Sequence, residues 1–365
     1  MYHGSPYQTR ITVIIEAEDF TARVSSVRIA FVSTELLPIY GNGALERLVI
    51  GWAKLIKEKH DVVLVSVSPA LSGGVSKVGH LPHLYINNYT DLSNLCEEHR
   101  IELCIVNNRP GWLGSIRTKS AVILHNFSSA WELDQFPVNE IPSSSGVVAL
   151  SHPLFVHANE VLHPKNEQLH HIFPYLASAF LEAKVAQVKD DSDQLRYLFP
   201  NRLMYKKGVW ALLDALDLLH DSEVHVDLTL SRSPSVRDRN FTQKVLARIK
   251  ASPNARAIPP LTTPKEVAEA MSRYSGVLMP SVEPEGFGLV AYESLALGIP
   301  TVTSNLGGLS HATELGATAV DPLHTPKFAR VLLELNRSPS YINRDFIVET
   351  FRVERSAQDL LDRLL

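Results

Sequence analysis

The chain is poor in cysteine, with only Cys96 and Cys104 among 365 residues. Two thiols close together in sequence make neither a disulfide framework nor the ligand set of a structural metal, and they fit a reduced compartment. Long apolar runs are missing too. No stretch approaches the roughly 20 apolar residues that a membrane helix needs. The first residues carry no basic segment leading into an apolar core and a small-residue cleavage site, so the expected location is the cytoplasm. Glycosylation needs the secretory route, so the Asn-x-Ser/Thr triplets at Asn88, Asn126 and Asn240 read as chance. There is little charge imbalance: a net charge of -4 excludes a protein built to bind nucleic acid by its overall field.

What is present is ordinary globular material, 45% hydrophobic and 20% charged, in a chain long enough for two domains. "VRIAFVST" (27–34) is an almost continuous apolar run, as expected of a strand buried on both faces. The loop "ELLPIYGNG" follows. In "ALERLVIGWAKLIKEK" (44–59), Leu45, Leu48, Val49, Trp52, Leu55 and Ile56 then share one helical stripe. "HDVVLVSVS" is the next buried strand, completing the strand, loop, helix and strand of a doubly wound parallel sheet. "IELCIVNN", "AVILHNF" and "GVVALS" continue the alternation.

A polar connector separates this series from a second one. The second begins at "LRYLFPNR" and runs through "VWALLDALDLLH", "VHVDLTL", a helix near 240–250, "RAI", "PKEVAEAMSRY", "GVLMP" and "TVTS". The sequence therefore divides into an unassigned extension (1–26), a first α/β domain (27–174), a linker (175–195), a second α/β domain (196–345) and a C-terminal helix that packs across both (346–365). For the extension, an extra strand and an ordered tail both stay open. Two open parallel sheets imply a ligand in the crevice between the carboxyl ends of their strands.

The chemistry concentrates in "PSVEPEGFGLVAYESLALGIPTVTSNLGG" (280–308). A helix starts near Gly288 and stops at Gly298, with Pro300 beyond. Within it Glu293 shares a face with Leu289, Ala296 and Leu297. A carboxylate among apolar neighbours needs a partner, and a structural arginine, a backbone amide and a ligand hydroxyl all qualify. Glu285 lies in the preceding loop. Gly286 and Gly288 let the backbone approach a ligand, and the amides of Phe287, Gly288 and Leu289, with Val290 just inside the helix, form an anion-binding helix start.

Glu285, seven intervening residues and Glu293 in the setting "EGFGLVAYESLALGIPTV...GG" closely resemble the signature of the family 4 retaining glycosyltransferases, and the resemblance extends over residues 27–365. It implies the GT-B fold, two facing Rossmann-like domains with a cleft between them and a C-terminal helix crossing back. In that family the first Glu contacts the donor sugar and the second the ribose, roles that fall on Glu285 and Glu293. "PNRLMYKKG" resembles the segment whose Arg and Lys grip the donor diphosphate, here Arg202 and Lys207, with Asn201 in place of the usual Gly. Fixed cations there would stabilise a leaving diphosphate as it gains charge.

"YGNGALER" resembles the family's glycine-rich loop, implying donor contacts from Gly41, Asn42 and Gly43. His125 stands where family members often carry an active-site histidine near the transferred sugar; a hydrogen-bonded structural histidine is the equal alternative. Asn126 and Trp131 are acceptor candidates, with Glu132 and Asp134 nearby. After Gly307 and Gly308 the family usually has a Glu where this chain has His311. Backbone around Ile258 to Leu261 is the expected seat of the base.

The implied activity is retaining, hexosyltransferase-type transfer from a nucleoside-diphosphate sugar to an acceptor hydroxyl. UDP is the commonest donor nucleotide in the family. The resemblance implies no divalent metal, no permanently bound cofactor and no protein nucleophile. The acceptor, whether saccharide, lipid-linked or small molecule, stays open. "DSD" (191–193) and the histidines His163, His170 and His171 read as solvated or structural rather than metal ligands. Lys54, Lys57 and Lys59 make peripheral membrane contact conceivable, although a charged helix end is more often simply solvated. The rival readings are a sugar-nucleotide epimerase on the same fold and a degenerate sugar-nucleotide-binding protein, the latter motivated by Asn201 and His311.

Overall fold

The computed structural model describes residues 26–33, 44–67, 75–78, 80–127, 141–183, 195–230, 239–335 and 341–365. In chain order, the first domain contains β1 (Arg28–Ser33), α1 (Ala44–Ile56), β2 (Asp61–Val67), β3 (Val75–Val78), β4 (Leu81–Ile86), α2 (Leu92–Glu98), β5 (Leu103–Asn107), β6 (Ser120–Leu124), β7 (Ser145–Ala149), α3 (His152–Leu162) and β8 (Leu169–His171). Its sheet has the order β3-β4-β2-β1-β5-β6-β7-β8, parallel throughout except for the β3/β4 edge pair. That antiparallel edge lies outside the purely parallel alternation read from the sequence. Apolar runs mark strands buried on both faces, and an edge hairpin has none.

The second domain contains α4 (Ser178–Leu181), β9 (Leu195–Phe199), α5 (Val209–Asp217), β10 (Val224–Thr229), α6 (Arg239–Ala251), β11 (Ala255–Ile258), α7 (Pro264–Met271), β12 (Gly276–Met279), α8 (Leu289–Ala296), β13 (Thr301–Thr303), α9 (Leu309–Glu314), β14 (Thr318–Ala319) and α10 (Thr325–Glu334), followed by α11 (Arg344–Thr350) and α12 (Val353–Leu364). The sheet order is β11-β10-β9-β12-β13-β14, all parallel. Strand order reverses between β1 and β5 in one sheet and between β9 and β12 in the other. The loops at the carboxyl ends beside these reversals are where ligands bind such sheets.

Each sheet is covered on both faces. Ile29, Phe31 and Leu64 pack against α1 and α12, while Ala30, Val32 and Val65 pack against α2 and α3. In the second domain α8 lies in one apolar layer with Leu198 and Val277, and α5 and α10 lie in the other. Cys96 and Cys104 are free and buried.

The chain between the domains is not only a tether. Leu176, Phe180 and Leu181 are buried in the second core. Arg344 holds this segment to the end of α8, donating through Nε to the Ala296 carbonyl (2.7 Å) and through Nη2 to the Leu181 and Ala183 carbonyls (3.3 and 2.9 Å). A cation against the last carbonyls of a helix answers both their unmet hydrogen bonds and the helix dipole.

The C-terminal stretch is two helices rather than one. Ile347 and Phe351 are buried in the second domain, and α12 returns to the first, burying Ala357, Leu360, Leu361 and Leu364 against α1 and its sheet. Trp52 of α1 is fully buried and donates through Nε1 to Ser356 Oγ (2.9 Å), which in turn donates to the Phe173 carbonyl (2.7 Å). One hydroxyl thus joins α1, α12 and the chain leaving the first domain. Removing it in Ser356→Ala leaves a buried indole N–H without an acceptor. We expect about 1–3 kcal/mol of lost stability, read as a lower urea midpoint for the first domain. An unchanged midpoint would show that the bond contributes nothing.

Candidate functional site

The switch point of the second sheet, between β9 and β12, frames the site. After β12 the loop Pro280–Gly288 leads into α8. After β9 the turn at Asn201 leads through a short helical turn, Tyr205–Lys207, into α5. The two loops are pinned together: Val282 N–H donates to the Lys206 carbonyl (3.0 Å). Gly208, at φ +75°, also lies where a Cβ would meet the Pro280 carbonyl oxygen at 1.8 Å, so both conformation and space demand glycine.

Within this frame Lys207 Nζ donates to both oxygens of Glu285 (2.7 and 2.8 Å), and Ser281 Oγ donates to Glu285 Oε1 (2.5 Å). Both side chains are 15% exposed. The sequence separates the roles of Lys207 and Glu285, and the structure joins them as one ion pair. Burial pulls the Lys207 ammonium below its ordinary value; Glu285 opposes this, while neighbouring Arg202 and Lys206 add to the lowering. Arg202 is exposed. With Arg202 and Lys206 close to this single ion pair, positive charge is left to spare for an anion.

Asn201 is buried, and its Nδ2 donates to the Leu278 carbonyl (3.2 Å). That bond accounts for a side chain in the place where the family has glycine. His311, the other departure, stacks on Phe173 (5.4 Å between centroids, 18° between planes) and pairs through Nδ1 with Glu314 Oε2 (3.1 Å).

Gly288 caps α8 with φ +88°. Among the described residues the amides of Phe287 and Gly288 have no hydrogen-bond acceptor, so the positive end of α8 is open to an anion. The Phe287 ring itself stacks on Tyr292 (4.1 Å) in the second core, and Leu289 packs against the cores of both domains. Val290 is half-buried in the first turn of α8. Ile258 spends its carbonyl on the Leu230 amide (3.0 Å), so it has less to offer a base.

The first domain meets this surface directly. Gly286 lies so close to His125 that a Cβ there would stand 1.8 Å from the His125 carbonyl oxygen, and the Gly286 carbonyl accepts from Ser151 Oγ (2.5 Å). His125, just beyond β6, is held by two asparagines at the end of β5. Asn107 gives Nδ2 to the Val32 carbonyl (3.0 Å), which leaves its Oδ1 to accept from His125 Nε2 (3.1 Å). The proton therefore sits on Nε2, and Nδ1 keeps its lone pair. Asn108, buried at φ +57°, accepts through Oδ1 from the amides of His125 (3.1 Å) and Asn126 (3.3 Å). Burial pulls the His125 imidazole down to about 3, so it is neutral at physiological pH. Asn126 is exposed beside it.

Glu293 is 3% exposed, and its partner among the described residues is Arg47 of α1, through Nη2 to Oε1 at 3.3 Å. Burial pushes this carboxyl up, and Arg47 only partly opposes the rise. Sequence reading missed Arg47, Asn107, Asn108 and Ser151. The signals were a cation inside the first turns of the helix after the glycine loop, and a polar pair closing an apolar strand. Gly41, Asn42, Gly43, Trp131, Glu132, Asp134 and residues 191–193 lie outside the described residues. Among the described residues no group of His, Cys, Asp and Glu is placed to hold a metal, and no helix is long and apolar enough to cross a membrane.

Known proteins match this arrangement in two ways. Residues 194–337, which carry Asn201, Arg202, Lys207, Glu285 and Glu293, match the family described as glycosyl transferases group 1. The chain is 32% identical over 154 residues to D-inositol 3-phosphate glycosyltransferase of Pseudarthrobacter chlorophenolicus, covering 41% of this chain and 36% of that protein. It is 34% identical over 123 residues to glycogen synthase of Mycobacterium tuberculosis, covering 34% of this chain and 29% of that one. It thus spans about a third of the length of these curated relatives.

Whole-chain likeness appears in solved structures. A glycosyltransferase from Rickettsia africae aligns at TM-score 0.70 and 16% identity over 93% of this chain and 98% of that one. Sucrose-phosphate synthase from Thermosynechococcus elongatus aligns at 0.72 and 17% over 92% and 98%. An Anabaena protein in complex with UDP and glucose aligns at 0.67 and 16% over 93% and 99%. At these identities the likeness shows the fold alone, and that fold is GT-B.

The raised Glu293 carboxyl has a consequence for stability. Its folded value lies above the ordinary 4.5, so between the two the folded state holds the proton more tightly. Stability should therefore fall as pH rises through that window. Glu293→Gln removes this slope. We expect the variant to be at least as stable as the parent at pH 7 in urea titrations; a clear loss there would mean that the Arg47 ion pair outweighs the burial cost.

Proposed function

We propose, from the premise that residues 194–337 belong to the glycosyl transferases group 1 family, that this protein is a retaining, metal-independent glycosyltransferase. It would move a sugar from a nucleoside-diphosphate donor to an acceptor hydroxyl. The observation that carries the reading is the Lys207–Glu285 pair beside the open start of α8, with His125 of the other domain seated against the same loop. Cations and free amides suit the diphosphate, and a carboxylate next to them suits sugar hydroxyls.

Donor binding would shift Lys207 and Arg202 onto the diphosphate and leave Glu285 to orient the sugar. The amides of Phe287 and Gly288 add hydrogen bonds to the same anion, and Glu293 takes the ribose. UDP is the donor nucleotide we favour, in line with the structural relative that holds UDP and glucose. In the reaction the bond between the anomeric carbon and the phosphate oxygen breaks, and its electron pair leaves on the phosphate. The acceptor oxygen bonds to the same face of that carbon.

The acceptor proton passes to the departing phosphate. Among the described side chains at this face, His125 binds a proton too weakly near neutrality to act as the base, and Glu285, once Lys207 has moved to the diphosphate, is taken up by the sugar hydroxyls it orients. His125 serves instead as a fixed neutral hydrogen-bond partner, its Nδ1 accepting from a sugar hydroxyl. Fixed charges that meet the leaving diphosphate need no reorganisation as its charge grows, which is where such sites gain most of their rate. Closure of the two domains keeps water from the donor.

Incubation with UDP-, GDP- and ADP-sugars should give binding by calorimetry and slow nucleotide release, strongest with a UDP-sugar. Silence toward all of them would end this reading. Release of an altered nucleotide sugar without any acceptor would favour an epimerase. Glu285→Gln should cut turnover by at least about 100-fold while unfolding stays cooperative, and full activity in that variant would remove the role given to Glu285.

A further inference from the structure

The two cross-linked carboxylates of the cleft are held very differently. Glu285 receives Lys207 on both oxygens and Ser281 as well, all at 2.5–2.8 Å. Glu293, more deeply buried, receives one long bond of 3.3 Å from Arg47 Nη2. A guanidinium that truly recognises a carboxylate presents two parallel N–H groups to it. Arg47 does not do so. Its Nε is shut off from solvent and has no hydrogen-bond partner, while the side chain as a whole remains 29% exposed.

An unmet buried donor and a carboxylate with one weak bond are both costly. They adjoin each other across the domain boundary, one on α1 and one on α8. The backbone that presents Arg47 is fixed, because the Tyr175 hydroxyl donates to the Arg47 carbonyl. Burial pushes that phenol up to about 12, so it keeps its proton for this bond. The looseness belongs to the side chain alone.

We infer that Arg47 is a donor-binding residue that exchanges partners: the ribose diol of a nucleoside diphosphate displaces it from Glu293, and the freed guanidinium takes the adjoining phosphate. The inference rests on the sugar-nucleotide reading above and adds to it a phosphate contact from the first domain. The exchange improves both halves. Two hydroxyls can satisfy both oxygens of Glu293, and Nε with one Nη can grip two phosphate oxygens in the fork geometry that arginine provides. Ribose and first phosphate are neighbours in the ligand, so a side chain that reaches the ribose-binding carboxylate also reaches that phosphate.

A ligand series separates this role from a structural one. Uridine offers the diol without phosphate, and UDP offers both. In calorimetry, Arg47→Ala should weaken UDP binding about ten- to a hundredfold, the scale of losing hydrogen bonds to a charged group. The same variant should bind uridine as well as the parent or better, since no guanidinium then has to be displaced. Arg47→Lys keeps the charge but not the fork, and should recover only part of the UDP affinity. Equal loss of uridine and UDP in both variants, or unchanged UDP binding in Arg47→Ala, would overturn the exchange while leaving the glycosyltransferase reading standing. Failure of the parent protein to bind UDP, GDP or ADP would instead bring down that reading and this inference together.

Discussion

The seating of Gly286 against the His125 carbonyl is the contact on which the rest of the site depends. No other residue leaves room there, and the Ser151 hydroxyl fastens the same glycine from the first domain. Because Gly286 follows Glu285 and precedes the open amides at the start of α8, placing it places the carboxylate, that helix end and His125 together. The two sheets bring their switch points to this spot, and the Trp52–Ser356–Phe173 relay and the Arg344 staple hold the domains and their connector behind it.

The electrostatics of the cleft follow from burial. Lys207 is pulled down and Glu293 pushed up for the same reason, loss of water, and each is only partly compensated by its partner. On the proposed function, a sugar nucleotide would offer phosphate to the cations and hydroxyls to the carboxylates. His125 shows the opposite use of burial. There the cost of charge keeps the ring neutral, and Asn107 fixes which nitrogen carries the proton.

The parallel strands were legible because strands covered on both faces must be apolar, and the switch-point loops followed from their alternation with helices. Glu285 and Glu293 stood out because one loop and one helix set them, whereas Arg202 and Lys207 were legible only through the family resemblance of their segment. The partners were not. Lys207 meets Glu285 and Arg47 meets Glu293 across 78 and 246 residues, and spacing carries no information about contacts that only the packing of two sheets creates. The Asn201 side chain likewise needed the β12 carbonyl to explain it.

The most direct measurement is a crystal structure with UDP-sugar bound. We expect the ribose hydroxyls on Glu293, the diphosphate between Lys207, Arg202 and the amides of Phe287 and Gly288, and the Lys207–Glu285 pair parted. A nucleotide bound elsewhere, with that pair and the Arg47–Glu293 contact still closed, would contradict it.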